Sequence, residues 1–218
     1  METAWQQVAE NGIGSLSLRG IARELGITAP AIYNYFPRRD DLINALVMEA
    51  FGSFADALET ASNDHDPNDH AGRYLALGYA YRAWALSHPR HYMFIFGTPI
   101  ESVNFTPEVG LTSIRSFLVL MSVIGDALDA GAIRPAAGYV RISPIMAAHT
   151  KLFDELGISY APEVFYLAME TWSFIHGLVS LELVGHMSGF LGGLTDEFIA
   201  AQFEGRMRVL GLLSTQDA

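Results

Sequence analysis

The chain is punctuated for helices from end to end, and that limits it to an all-α fold. Apolar residues recur at helical spacing through the long segments. Gly or Pro marks the breaks, at Gly26, Pro37, Pro89, Gly97-Thr98-Pro99, Gly131, Pro135, Gly157, Pro162 and Gly192-Gly193. No run of six or more residues alternates apolar and polar side chains with β-branched enrichment, so no strand is expected. Half of the 218 residues are apolar or aromatic, ample for a sizeable core, and there is no cysteine. Disulfides, thiolate metal sites, iron–sulfur clusters and cysteine nucleophiles are thereby excluded. A net charge of −11 does not advertise a polyanionic partner. The acidity is uneven, however. Arg19, Arg23, Arg38 and Arg39 all fall within one short segment, and most of the acidic excess lies beyond residue 50.

That segment has the pattern of a helix–turn–helix over residues 17–36. Leu18, Ile21, Ala22 and Leu25 define one face of a short helix, with Ser17 as its N-cap and Gly26 ending it. Thr28 is placed to cap a second helix whose first turn contains Pro30, and Phe36-Pro37 ends it. Leu25 and Ile27 are expected to pack inward with Leu18, Ile21 and Ile32. The second helix then presents Thr28, Ala29, Pro30, Ala31, Tyr33, Asn34 and Tyr35 to a major groove. Small residues at its front allow close approach to thymine methyls, Asn34 suits an adenine edge, and the tyrosine hydroxyls suit phosphates or bases. Arg19 lies near the same groove, and Arg38 and Arg39 stand at the start of a long helix over about 39–60, where cation and amides can share a phosphate. Further helices are expected at about 69–88, 89–97, 107–130, 139–156, 162–188 and 194–213.

SLSLRGIARELGITAPAIYNYFPRRDDLINAL resembles the DNA-binding domain of the TetR family of transcriptional regulators. Arg-Gly-Ile-Ala, Leu-Gly-Ile-Thr and Ile-Tyr-Asn-Tyr-Phe, then a basic residue, an acidic residue and Leu42, stand in the family's order and spacing. The resemblance implies a three-helix DNA-binding domain over residues 1–48 and a ligand-binding and dimerisation domain over 49–218. It implies that Ser17 caps the second helix at a phosphate, that Thr28–Ala31 and Tyr33–Tyr35 form the recognition helix, and that Arg39 anchors a phosphate. It also implies a homodimer on a double-stranded operator, usually a repressor released by a small molecule. Two departures stand out. Family members commonly carry a basic arm before a longer first helix. Met1 lies only about ten residues before Gly12-Ile13-Gly14, so the arm is absent, trimmed or lost to start assignment, and no contact is assigned to it. Arg38 replaces a frequent Ser, Asn or Asp cap, which adds charge but removes a side-chain acceptor from the helix start.

Trp172, His176 and Gly177 resemble a C-terminal domain type of this family named for its Trp-His-Gly signature, and Tyr92–Pro99 resembles the same type. Residues 162–188 are apolar on two faces and so need two partners, their own core and a second subunit. Together with 194–213 they are expected to form a four-helix interface across a two-fold axis. Leu183 and Phe203 are expected within it. Bulky, adaptable side chains at Trp84, Tyr92, Phe94, Phe96, Met121, Met146, His149, Phe153, Met169, Trp172 and His176 are candidates to line a mostly apolar effector site. The long helix at 39–60 is expected to act as a lever between that site and the DNA surface.

Other chemistry finds little footing. Asp64-His65-Asp66 and Asp69-His70 carry metal-ligating groups, but they fall in a polar break where an Asp serves as a helix cap, so no metal or cofactor is expected. No Gly-rich phosphate loop, HExxH or G-x-S-x-G is present, and no catalytic residue is assigned. The longest apolar runs are broken by charges short of a membrane span, and a cytoplasmic protein is expected. The alternative is an all-α small-molecule-binding protein or enzyme that has lost DNA binding.

Overall fold

The computed structural model describes residues 1–97, 106–148 and 157–213, and every regular element among them is helical. The first unit begins with α1 (Glu2–Asn11), which stops at Gly12 with φ 75°, followed by one 3-10 turn at Ile13–Ser15. The next helices are α2 (Leu18–Glu24), α3 (Ala29–Tyr35) and α4 (Arg39–Asn63). Their limits are local chemistry. Ser17 Oγ accepts the Gly20 N–H at 3.2 Å, closing the start of α2. Gly26 takes φ 67°, and the Ile27 N–H donates back to the Ala22 carbonyl at 2.9 Å, the six-residue bond of a Schellman ending. Phe36 is extended, as a residue before proline must be.

The core of this unit gathers Ala4, Trp5, Leu16, Leu18, Ile21, Ala22, Ile32, Leu42, Ile43, Leu46 and Val47. Leu25 and Ile27 do not join it; they are 54% and 41% exposed. The inward stripe of α2 is completed by Leu18, Ile21 and Ala22. The reversal at Gly26 then carries the next side chains outward, where Leu25 and Ile27 border a groove with Ile21, Ile32, Tyr35 and Leu42.

The remaining elements are α5 (His70–Ser87), α6 (Pro89–Tyr92) with a π turn at Met93–Gly97, and α7 (Pro107–Asp129). They are followed by α8 (Pro162–Leu183), α9 (His186–Leu191) and α10 (Thr195–Leu210). The chain divides into two compact units, Met1–Phe54 with His88–Arg115 and Ala55–Ser87 with Ser116–Ala218, so α4 and α7 each contribute to both. In the acidic break before α5, Asp69 Oδ1 accepts the Gly72 N–H at 2.9 Å and Asp66 Oδ1 accepts the Asn68 N–H at 2.8 Å. These carboxylates serve turns and a helix start.

Two helix limits differ from expectation. The stretch expected to be helical from 139 is helical only over 144–148 among the described residues, and Tyr139 is drawn instead into a polar cluster. The helix expected to reach 188 breaks at Gly185, whose φ of 76° lies outside right-handed helical space. The apolar residues on both sides of that glycine conceal the break in the sequence. In addition, α7 and α8 are each long and apolar enough, by length and composition, to cross a membrane. Interrupting charges hide this when only unbroken runs are counted. In α8 the polar residues Glu170 and His176 engage Arg206 of α10 and Tyr81 of α5, which ties α8 to two neighbouring helices of its own unit.

Candidate nucleic-acid interface and effector region

The helix–turn–helix displays an exposed polar and aromatic surface. Thr28, at the N-cap position of α3, makes no side-chain capping bond and is exposed, as are Pro30, Tyr33 and Asn34. Tyr35 is 78% exposed, while Ala29 and Ala31 are half-buried and Ile32 is the inward anchor. Ser17 is exposed at the start of α2 and is braced from α1, since its N–H donates to Gln7 Oε1 at 3.3 Å.

The four arginines of the segment fall into two pairs. Arg38 pairs with Asp41 at 2.7 Å, and its backbone N–H donates to the same carboxylate at 2.9 Å. Asp41, three residues into the helix start, therefore supplies the reciprocal half of a capping box, replacing the acceptor that Arg38 lacks. The Arg38 hydrogen bond holds the Asp41 carboxyl below its ordinary range. Arg39 is half-buried: its Nε donates to the Leu16 carbonyl at 3.0 Å and its Nη2 to the Ile13 carbonyl, so it clamps the turn between α1 and α2. By contrast, Arg19 and Arg23 are exposed, one helical turn apart on α2. Neither guanidinium has an ion-pair or hydrogen-bond partner among the described residues. The motif alone does not single out Arg23; its spacing from Arg19 is the sequence signal for it.

The candidate effector residues separate. His149 and Phe153 lie outside the described residues. Tyr92, Phe94 and Phe96 belong to the first unit, where Phe94 meets Trp5 edge-on at 5.0 Å and Phe96 meets Phe51 and Tyr92. Trp84 and Met121 are fully buried in the second unit, Met146 is half-buried, and Met169 faces outward. Trp172 and His176 are half-buried and stacked at 5.1 Å, and His176 Nδ1 lies 2.8 Å from the Tyr81 hydroxyl. Burial lowers the His176 pKa, which favours the neutral ring. Sequence spacing does not find Tyr81, one turn before Trp84 on α5, because its partner is 95 residues away.

Residues 1–46 match the family model of the bacterial regulatory proteins of the tetR family, and residues 74–205 match that of the tetracyclin repressor-like C-terminal domain. This chain belongs to the TetR family and is a helix–turn–helix transcriptional regulator. It is 28% identical over 216 residues to the HTH-type transcriptional regulator Rv1816 of Mycobacterium tuberculosis, covering 96% of this chain and 88% of that protein. The same figures hold for the HTH-type transcriptional regulator Mb1846 of Mycobacterium bovis. The crystal structure of the regulatory protein SCO4313 superposes with a TM-score of 0.72 at 29% identity, covering 94% of this chain and 91% of that one. A protein from Rhodococcus sp. RHA1 shares the fold, with a TM-score of 0.72 at 23% identity over 96% and 92% of the two chains. TetR-family regulators bind operators and dimerise, and Trp172, His176 and Gly177 all lie inside the C-terminal match.

Proposed function

We propose that this regulator is a cytoplasmic repressor, released from a pseudo-palindromic operator by a mostly apolar small molecule. In this reading residues 1–48 bind DNA and 49–218 bind the effector and dimerise. The DNA-facing set is Ser17, Arg19, Thr28–Ala31 and Tyr33–Tyr35, with Arg38 and Arg39 at the start of α4. The observation that carries the effector reading is the Tyr81–His176–Trp172 string, a half-buried group that pairs aromatic surface with a hydrogen-bonding imidazole. An effector shifts operator binding only by its differential affinity for two states of the protein. α4, at 25 residues and about 38 Å at 1.5 Å per residue, is long enough to carry a displacement between the two units.

Operator titrations across a salt series test the DNA surface. Arg19→Ala and Arg39→Ala are each expected to weaken binding to all sequences alike and to lower the slope of log K against log salt by about one contact per subunit. An unchanged slope for Arg39→Ala would leave it solely as the clamp on residues 13–16. Asn34→Ala is expected to alter preference among operator variants, and uniform loss across them would count against base readout.

Trp172→Ala is expected to blunt effector-driven release while leaving the effector-free operator Kd within about threefold, a change below 1 kcal/mol. The measurement is operator Kd with and without an effector found by screening apolar compounds. Full release by the variant would place the effector away from Trp172.

A further inference from the structure

The N-terminal unit contains a cavity for which DNA binding has no use. Its volume is about 590 Å³, within the range of about 300–1,000 Å³ usual for small-molecule sites. One wall is Val8, Ala9 and Ile13, from the end of α1 and the turn after it; the other is Pro89, Met93 and Phe94, from α6 and the π turn. The Phe94 wall is held in place, because Phe94 is buried edge-on against Trp5, whose indole N–H donates to Glu49 at 3.0 Å.

Two charged residues border this apolar cleft, Glu10 and Arg90. The Gln6 amide donates to the Glu10 carboxylate at 3.0 Å. The Arg90 guanidinium has no ion-pair or hydrogen-bond partner among the described residues, so its N–H donors, unlike the Glu10 oxygen that Gln6 occupies, are left for a bound acceptor group. We propose that the cleft binds an apolar small molecule ending in a single carboxylate, with the apolar body between Ala9 and Met93 and the carboxylate on Arg90. It is a second effector site, separate from the Trp172–His176 region proposed above, and Phe94 belongs to it. The Ile13 wall is tied to Arg39 through the Ile13 carbonyl, and Arg39 starts α4. A ligand that prefers one position of this turn therefore acts directly on the element preceding Ser17 and α2.

Calorimetric titration of the full-length protein with decanoate, decanol and decylamine tests the proposal. Decanoate is expected to bind at one site per chain, at least about tenfold more tightly than decylamine. Arg90→Glu and the cleft-filling Ala9→Trp are each expected to weaken decanoate by about tenfold or more, Arg90→Lys to retain most of the affinity, and Trp172→Ala to leave it within about twofold. If Ala9→Trp fails to fold, the Arg90→Glu and Arg90→Lys pair decides. The proposal is overturned by no decanoate binding, by decylamine binding as tightly, or by Arg90→Glu binding like the wild type. Loss of binding only in Trp172→Ala would also overturn it, while leaving the Trp172–His176 reading intact.

Discussion

Replacing Glu170 by glutamine should lower the melting temperature by about 4–8 °C, the shift expected for a loss of about 2 kcal/mol in a chain of this size. Arg206 donates through Nη1 to Glu170 at 2.9 Å and to the Tyr139 hydroxyl at 2.6 Å, and Tyr139 donates in turn to the same carboxylate. The guanidinium also lies over the Tyr139 and Phe174 rings, and its side chain is only 11% exposed. The neutral amide of the Glu170→Gln variant would leave that cation partly buried without a counter-charge. The loss expected falls short of the roughly 3–5 kcal/mol for fully buried pairs because the Glu170 side chain keeps 32% exposure and solvent screens it. Arg206→Met, which removes the cation and keeps an apolar stem, should cost less, and the double variant should be more stable than Glu170→Gln alone.

The same pair carries a pH signature. Desolvation pushes the Glu170 carboxyl up, but the Arg206 and Tyr139 hydrogen bonds outweigh it and hold the group below its ordinary range. Stability from a depressed carboxyl is present above its unfolded value and disappears as pH falls through its folded value. The melting difference between wild type and Glu170→Gln should therefore be full at pH 7 and shrink steadily below about pH 4.3, the ordinary glutamate value. A difference that stays constant down to pH 3 would show that the carboxylate charge is not what Arg206 needs.

Legible in the sequence is whatever a few neighbouring residues decide. Ser17, Gly26 and Phe36-Pro37 act within one turn of themselves, so the helix–turn–helix limits are visible there. The exposed faces of α3 follow from the inward spacing of Ile32. What stays hidden depends on distant partners. Arg39 reads as a free cation at a helix start, yet its acceptors are carbonyls 23 and 26 residues earlier. Phe94 carries the same aromatic character as Trp172, and only the fold assigns it to Trp5 and the first unit. Gly185 interrupts a helix whose apolar stripe continues on both sides, so periodicity bridges a break that the backbone makes.

The dimer interface is where that distinction has its largest expected effect. Leu181→Asp should convert a dimer to monomers at micromolar concentration, whereas Phe203→Asp should unfold the C-terminal unit. Sequence spacing places Phe203 in the interface, but its side chain is buried within its own unit. A Cβ added at Gly78 would stand 3.1 Å from the Phe203 ring, and Tyr79 and Phe174 flank it at 5.2 and 6.4 Å. The outward residues of α8 form a different stripe, Met169, Ser173, Gly177, Leu181 and, just past the helix end, Val184. Their spacing of four, four, four and three residues keeps them on one face. Its middle is small, and a Cβ added at Gly177 would meet nothing within 4 Å, so another helix can approach closely there. α10 offers a matching line at Ala201, Gly205 and Val209, with open space at Gly205. Two such faces related by a two-fold axis give a four-helix contact with apolar ends and small centres. An aspartate at 181, exposed in the protomer, would become an unpaired buried charge only on association, at a cost of several kcal/mol. Light scattering with circular dichroism separates the outcomes: Leu181→Asp should be monomeric with native helicity, and Phe203→Asp should lose helicity. A Leu181→Asp protein that remains dimeric at micromolar concentration would move the interface off the α8 stripe.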